Sequence, residues 1–406
     1  MKRFFGWMGG LVIMALVVGG TGAALFLYTP SDYERRLSAV AALAQRGVDH
    51  GHWPGVMWAI VKPGEILQTG AAGFSDLSSE TLMTPDTVMP IGSITKVFVG
   101  LSAAIAASEG NFDLDAPVSD YLTIPFDPPD GKPRTFGALA THTSGIVDTA
   151  DGYEAVGYHY GSVRHPIELA DFLARYLGEA GDLYAPDNFA DWGPGERYAY
   201  SNIGAGLAAK VIADAVGQPF ERYSTDKIVR PLGLSGFWGP FGPPEDSELV
   251  RATLYDRDAN GAFEPIEAYG LATWPDGQFN ASAADLAKLM AALLNEGEWE
   301  GTELVPSDAV ALQQSPRVRD IPGKQASDDY IGLFWERETL EFGPLALTLV
   351  GHSGGDPGVV TFMYQVPDNP TAFVLMFNGE PNGIIGLLSV VRLIRLMAGM
   401  PLPHSP

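Results

Sequence analysis

Thr87-Val88-Met89-Pro90-Ile91-Gly92-Ser93-Ile94-Thr95-Lys96 runs from an extended apolar segment through a turn at Pro90 to Gly92 into a helix expected to open at Ser93. A serine at a helix N-terminus faces unpaired backbone N–H groups and the positive end of the macrodipole, both of which favour an oxyanion. Lys96, one turn on, shares its helix face. A serine hydroxyl is barely ionised near neutral pH and needs a base within hydrogen-bond reach, which a partly desolvated lysine amine can supply. The corner therefore fits an activated nucleophile, and it also fits an ordinary helix N-cap. Ser224-Thr225-Asp226-Lys227 repeats the S-x-x-K pattern inside a charged helix expected to open near Gln218, where nothing suggests catalysis.

Two other stretches carry groups of the right kind. In Tyr198-Ala199-Tyr200-Ser201-Asn202, Tyr200 precedes Asn202 by two residues just before a helix. A phenol held between cations can lose its proton far below its free pKa of about 10 and act as general base or acid. Asn202 could orient Lys96 or a substrate amide, although Ser201 or Asn202 would equally serve a turn and helix cap. Val350-Gly351-His352-Ser353-Gly354-Gly355 follows an apolar strand. Its glycines allow a substrate backbone close to a strand edge, and the N–H of Gly355 could pair with that of Ser93 as an oxyanion hole. Alone, this stretch is a glycine turn.

The elements that must position these groups follow from periodicity. A helix is expected from Ser31 to about Val48, then a hairpin of Val56 to Val61 and Ile66 to Gly70, and the Ser93 helix continues to Ala107 and stops at Gly110. From Leu114 to roughly Tyr269 the pattern is mostly helical with long Pro/Gly-rich connections, an inserted helical lobe over about residues 110–270. A helix over Leu286 to Leu294 precedes strands at Leu345 to Val350, Val359 to Tyr364 and Ala372 to Phe377. Ile384 to Met397 carries Arg392 and Arg395 and reads as an amphipathic closing helix.

With 406 residues, 46% hydrophobic and 18% charged, the chain can bury a large core. A net charge of −24 argues against nucleic-acid partners and favours small neutral or amphipathic substrates. The absence of cysteine excludes disulfides, thiolate metal sites and cysteine nucleophiles. Lys2-Arg3 precede an uncharged run from Phe4 to Tyr28, longer than the roughly 20 residues a spanning helix needs. Residues 1–30 are thus expected to be a membrane anchor, with a cleaved signal peptide as the rival and Thr21-Gly22-Ala23 as its cleavage site. The anchor places residues 31–406 in the periplasm or extracellular space, on a single-pass protein of the cytoplasmic membrane.

In order and spacing, Ser93-x-x-Lys96, Tyr200-x-Asn202 and His352-Ser353-Gly354 resemble the three elements of the serine β-lactamase and penicillin-binding-protein superfamily, in its class C branch. Thr84-Pro85-Asp86-Thr87, Leu114-Asp115-Ala116-Pro117-Val118, Leu139 to Ile146 and Pro231-Leu232-Gly233-Leu234 carry the resemblance along the chain. It implies an α/β (α+β), β-lactamase/transpeptidase-like fold: an antiparallel sheet flanked by helices, plus a mostly helical lobe. It also implies Ser93 as acylated nucleophile, Lys96 and Tyr200 as the proton-transfer pair, Asn202 as positioning group, and the N–H groups of Ser93 and Gly355 as oxyanion hole.

One residue departs from the pattern. His352 stands where β-lactamases carry lysine, with Ser353 for the threonine, and a mostly neutral imidazole suits a β-lactam carboxylate less well than a fixed cation. An ester or D-amino-acid peptide thereby gains weight beside a β-lactam as substrate. His142, within T-H-T-S-G, is a structural turn in similar sequences. The expected activity is hydrolysis of an ester or amide through an acyl-enzyme, without cofactor or metal. The alternative is a slow or silent penicillin- or peptide-binding sensor. Asp256 to Glu267 satisfies the EF-hand expression, but Pro265 and an Asn260-Gly261 turn between strand-like flanks favour an acidic hairpin over a calcium loop.

Overall fold

The computed structural model describes residues 30–243, 245, 247–319, 329–342, 345–367 and 369–401. Helix α1 (Tyr33–Asp49) starts where the Asp32 carboxylate accepts the Arg35 N–H at 3.0 Å. Strands β1 (Gly55–Lys62) and β2 (Glu65–Asp76) form the expected hairpin, and β2 runs six residues beyond Gly70. Helix α2 (Thr95–Ser108) follows a single 3-10 turn over Gly92–Ile94. The middle of the chain contributes β3 (Tyr158–Tyr160), α3 (Asn202–Val216), β4 (Tyr255–Arg257), β5 (Phe263–Pro265) and β6 (Tyr269–Leu271). Helix α4 (Ala283–Leu294) opens on a reciprocal capping box between Ser282 and Asp285. The C-terminal part supplies β7 (Glu336–Phe342), β8 (Leu345–Asp356), β9 (Val359–Gln365), β10 (Ala372–Phe377) and α5 (Gly383–Met397).

The main sheet is antiparallel, with these strands in the order β7-β8-β9-β10-β1-β2 and short strands extending both edges. β1 therefore lies inside the sheet between β10 and β2, paired with β10 from Val56↔Phe377 to Val61↔Ala372. The run Val56-Met57-Trp58-Ala59-Ile60-Val61 is apolar at every position because both faces of the sheet are covered. Met57, Ala59 and Val61 face the core built on α2 and α4, while Val56, Trp58 and Ile60 face that built on α1 and α5. The stretch after Val350, read as a glycine turn, is instead strand: β8 continues through both glycines to Asp356.

Every residue of α2 from Thr95 to Ala106 is buried, so this helix has no solvent face. Its Gly100 is the point of closest approach to a neighbouring segment: a β-carbon there would lie 2.0 Å from the Leu333 carbonyl oxygen. The EF-hand-like stretch folds as the β4–β5 hairpin, in which the Asp258 carboxylate accepts the N–H groups of Asn260 at 2.9 Å and Ala262 at 2.8 Å. Strands, not helices, flank it.

The expectation of a single-pass membrane protein is corrected. Among the described residues no helix is long and apolar enough to cross a membrane. α1 has 17 residues and three arginines, α2 has 14 residues and α5 has 15, against about 20 apolar residues for a span. Residues 1–29, on which the anchor rested, lie outside the described residues.

Gly100→Ala tests the packing of α2. Helix propensity alone favours alanine by about 1 kcal/mol. Overpacking against the Leu333 carbonyl opposes it and is expected to win, lowering stability by about 1–3 kcal/mol in denaturant melts. A more stable variant would refute this close approach.

Candidate active site

The Ser93 corner is clamped from both sides. The Ile91 N–H donates to Phe279 O at 2.9 Å, the Phe279 N–H donates to Thr95 Oγ1 at 3.2 Å, and Thr361 Oγ1 donates to Ile91 O at 2.8 Å. β8 passes so near the turn that a β-carbon on Gly354 would sit 2.1 Å from Ile91 O and 3.0 Å from Ser93 N. One on Gly92, whose φ is +55°, would sit 2.7 Å from Gly355 N. Glycine is required on both surfaces, and the backbone of the Gly92–Ser93 turn lies directly against that of Gly354 and Gly355.

Lys96 is fully buried and donates to three oxygens: Ser93 Oγ at 3.1 Å, Asn202 Oδ1 at 2.8 Å and the Asp276 carbonyl at 2.8 Å. Two of these can only accept. They occupy two N–H bonds, so the remaining position on Nζ, a proton or a lone pair, is left to the hydroxyls of Ser93 and Tyr200. Burial alone would lower the Lys96 pKa, but its interactions with Tyr200, Asp276 and Asp356 outweigh it and hold the group above its ordinary value. The resting side chain is an ammonium, rather than the free amine that the sequence suggested.

The Tyr200 hydroxyl interacts with both Lys96 and Ser93. Burial pushes this phenol above its usual value, and the pull of Lys96, the one cation acting on it among the described residues, does not reverse that. The expectation of a phenol between cations with a strongly lowered pKa is therefore corrected. Its ring stacks on His142 at 4.3 Å between centroids, and His142 accepts the Ser201 N–H on Nδ1 at 3.2 Å. His142, held at φ +55°, is a platform behind Tyr200, in keeping with a structural turn.

Three carboxyl groups escaped the sequence reading. Asp148 accepts from Ser201 Oγ at 2.7 Å and from the N–H groups of Asn202 at 2.7 Å and Ile203 at 3.2 Å, so it caps α3 from 54 residues away. Asp276 and Asp356 are 3% and 7% exposed. Burial pushes Asp276 up to about 7 and Asp356 up to about 6, against the pull of Lys96 on both. Asp356 alone carried a signal, since strand alternation puts it on the β8 face of His352 and Gly354. Asp276 sits in a Trp-Pro-Asp-Gly turn, and the cap by Asp148 is long-range.

The predicted groups Ser93, Lys96, Tyr200 and Asn202 thus converge, with Gly354 and Gly355 against the same turn. His352 is buried two residues upstream, its Nδ1 donating to Ser353 O at 2.5 Å. Ser353 belongs to the opposite face of β8, where its side chain engages Tyr364. β7 stops pairing with β8 at Glu336↔Gly351, so among the described residues positions 352–356 pair on one side only, with β9.

An antiparallel sheet packed between helices, with a serine at the head of a buried helix, defines a β-lactamase/transpeptidase-like serine hydrolase. The octameric penicillin-binding protein homologue from Pyrococcus abyssi shares this fold at a TM-score of 0.68 and 22% identity, over 90% of this chain and 78% of that one. The chain belongs to the Beta-lactamase family, whose model matches residues 40–384. It is similar to the D-alanyl-D-alanine-carboxypeptidase/endopeptidase AmpH of Escherichia coli, at 25% identity over 302 residues, 72% of this chain and 71% of AmpH. Penicillin-binding protein 4 of Amycolatopsis lactamdurans is 22% identical over 356 residues, 82% of this chain and 86% of that protein.

The raised carboxyl pKa values have a consequence for stability. The folded chain keeps protons on Asp276 and Asp356 that the unfolded chain releases near 3.8, so their contribution is complete below that value and is lost as pH rises to about 7. Asp276→Asn removes one such group. Relative to wild type, its unfolding free energy is expected to improve by roughly 1–4 kcal/mol between about pH 5 and pH 8 in thermal melts. A pH-independent difference would refute the shift.

Proposed function

We propose that the protein hydrolyses D-alanyl peptides or amides through an acyl-enzyme on Ser93. What supports this reading is the Lys96 side chain, whose Nζ reaches Ser93 Oγ and the Tyr200 hydroxyl while Asn202 and the Asp276 carbonyl hold two of its positions. As Oγ attacks the carbonyl carbon, its proton passes to the Lys96–Tyr200 pair, which must first be one proton short. The oxyanion that forms is met by the N–H groups of Ser93 and Gly355. Collapse expels the amine, which leaves with the proton held by the pair. Water then repeats the sequence on the acyl-enzyme, giving its proton to the pair and restoring the Ser93 hydroxyl as the acid departs.

The half-paired length of β8 at residues 352–356 supports a peptide-like substrate, whose extended backbone can hydrogen-bond along that edge. AmpH, by name a D-alanyl-D-alanine carboxypeptidase and endopeptidase, supports D-alanine at the scissile bond. His352 in place of a lysine supports such substrates over β-lactams.

Mass spectrometry after treatment with a serine-directed phosphonate is expected to find one adduct, on Ser93. Ser93→Ala should lose both the adduct and the turnover of D-alanyl-D-alanine peptides. Labelling that persists in this variant would sink the assignment. Because Lys96 and Tyr200 both hold their protons more tightly than usual, kcat/KM is expected to climb with pH between about 6 and 9. A plateau already reached at about pH 7 would contradict the proton-transfer pair.

A further inference from the structure

Among the described residues, five other than glycine adopt positive φ: Glu80, His142, Glu296, Glu300 and Phe334. The three glutamates are exposed. His142 at φ +55° and Phe334 at φ +50° are buried, and although far apart in sequence they meet, with ring centroids 5.4 Å apart at 66°. A side chain in the left-handed region strains its backbone, and glycine would remove that strain at either position. What each ring touches must therefore offset the strain.

Both backbones are held in place by their surroundings. The His142 N–H donates to Leu139 O at 3.1 Å, and its carbonyl accepts the Ala199 N–H at 2.8 Å. The Phe334 N–H donates to Ala140 O at 3.1 Å, and the preceding Leu333 N–H donates to Gln313 O at 2.9 Å. Gln313 Nε2 in turn donates to Val97 O in α2 at 2.8 Å. The segment that leads into β7 is thus tied both to the His142 turn and, through Gln313, to the helix that carries Lys96.

The rings converge on the phenol of Tyr200. The His142 ring stacks on it at 4.3 Å and 30°, while Phe334 and Tyr198 meet His142 edge-on, Tyr198 at 5.8 Å and 77°. His142 Nδ1 is taken by the Ser201 N–H, so the imidazole meets the phenol with its face. Tyr200 lies just before the Ser201 cap of α3, outside the ladder of that helix, and its hydroxyl has to reach Lys96 and Ser93 together. Two side-chain torsions swing that hydroxyl, and a misplacement of about 1 Å can cost about a hundredfold in rate.

We propose that His142 and Phe334 are positioning residues for Tyr200, a strained pair of rings that fixes the plane in which its hydroxyl meets both Lys96 and Ser93. This rests on the acyl-enzyme reading above, in which Tyr200 shares the transferred proton. Neither ring touches a reacting atom. Phe334 acts through His142, and His142 through the phenol.

Two substitutions separate the ring of His142 from its hydrogen bond. His142→Asn tolerates the left-handed backbone and keeps an acceptor where Nδ1 stands, but has no ring. His142→Phe keeps a ring and leaves the Ser201 N–H unpaired. In hydrolysis of a D-alanyl-D-alanine peptide by the whole chain, His142→Asn is expected to lower kcat about ten- to a hundredfold with KM held within about twofold. His142→Phe is expected to recover most of that loss although its Tm lies below that of His142→Asn. Phe334→Leu should lower kcat about three- to tenfold and have no further effect once His142 is Asn. A kcat unchanged in His142→Asn, or one that follows Tm across the three variants, would overturn the proposal and leave the Ser93 mechanism standing. Independent losses in the double variant would overturn the pairing of the two rings, and this comparison decides the matter if His142→Phe fails to fold. If wild type neither hydrolyses the peptide nor takes a phosphonate on Ser93, both readings fall.

Discussion

A lysine ammonium with no exposure to water has to find all its solvation inside the protein. At Lys96 that solvation comes from the oxygens of three segments: Ser93 at the corner, Tyr200 and Asn202 at the start of α3, and the Asp276 carbonyl in the turn before α4. An ion buried without such partners costs several kcal/mol. The segments must therefore meet at Nζ, and α2, buried on every side, gives the side chain no route to the surface. The same constraint orients chemistry. Two of the oxygens are pure acceptors, so the geometry of charge burial also leaves the third position of the amine to the hydroxyls of Ser93 and Tyr200.

The start of α3 is in turn held by a loop that performs no chemistry itself. His142 takes the Ser201 N–H, its carbonyl takes the Ala199 N–H, and six residues later Asp148 takes three donors from Ser201, Asn202 and Ile203. Tyr200 is thereby pinned between two bonded neighbours and stacked on the His142 ring. A buried polar network of this kind is stabilising only when complete, because each missing bond leaves a desolvated group unpaired. Precision at Tyr200 and Asn202 depends on residues more than fifty positions earlier.

Much of this was legible in the sequence wherever the cause is local. The apolar runs of β1 and β10, the period of α1 and the Gly110 stop of α2 all report on neighbours in the chain. Ser93, Lys96, Tyr200 and Asn202 stood out because a motif packs reactive side chains into a few residues. What stayed hidden was long-range. The raised pKa of Tyr200 follows from burial, and that of Lys96 from Tyr200, Asp276 and Asp356, which no spacing connects to it. The glycines at 354 and 355 read as a turn because their true cause, the approach of the Ser93 corner to a strand, lies some 260 residues away in sequence. Asp276 looked like turn punctuation, since Asp-Gly is far more often that than a buried carboxyl group.

The placement of β1 between β10 and β2 carries a further consequence, for the order in which the molecule can be assembled. β1 pairs with a strand more than 300 residues downstream, and Lys96 reaches partners 106 and 180 residues away. Such a topology closes its longest loops last and folds slowly, because the entropy of closure is spent before the contacts that reward it are made. A nascent chain that has emerged only as far as α4 already holds Ser93, Lys96, Tyr200 and Asn202, but it lacks β8 and the strands that complete the sheet around β1. Such a chain holds the nucleophile and its neighbours without the strand that passes against the Ser93 corner, so the site is complete only once the C-terminal strands have paired with the N-terminal hairpin.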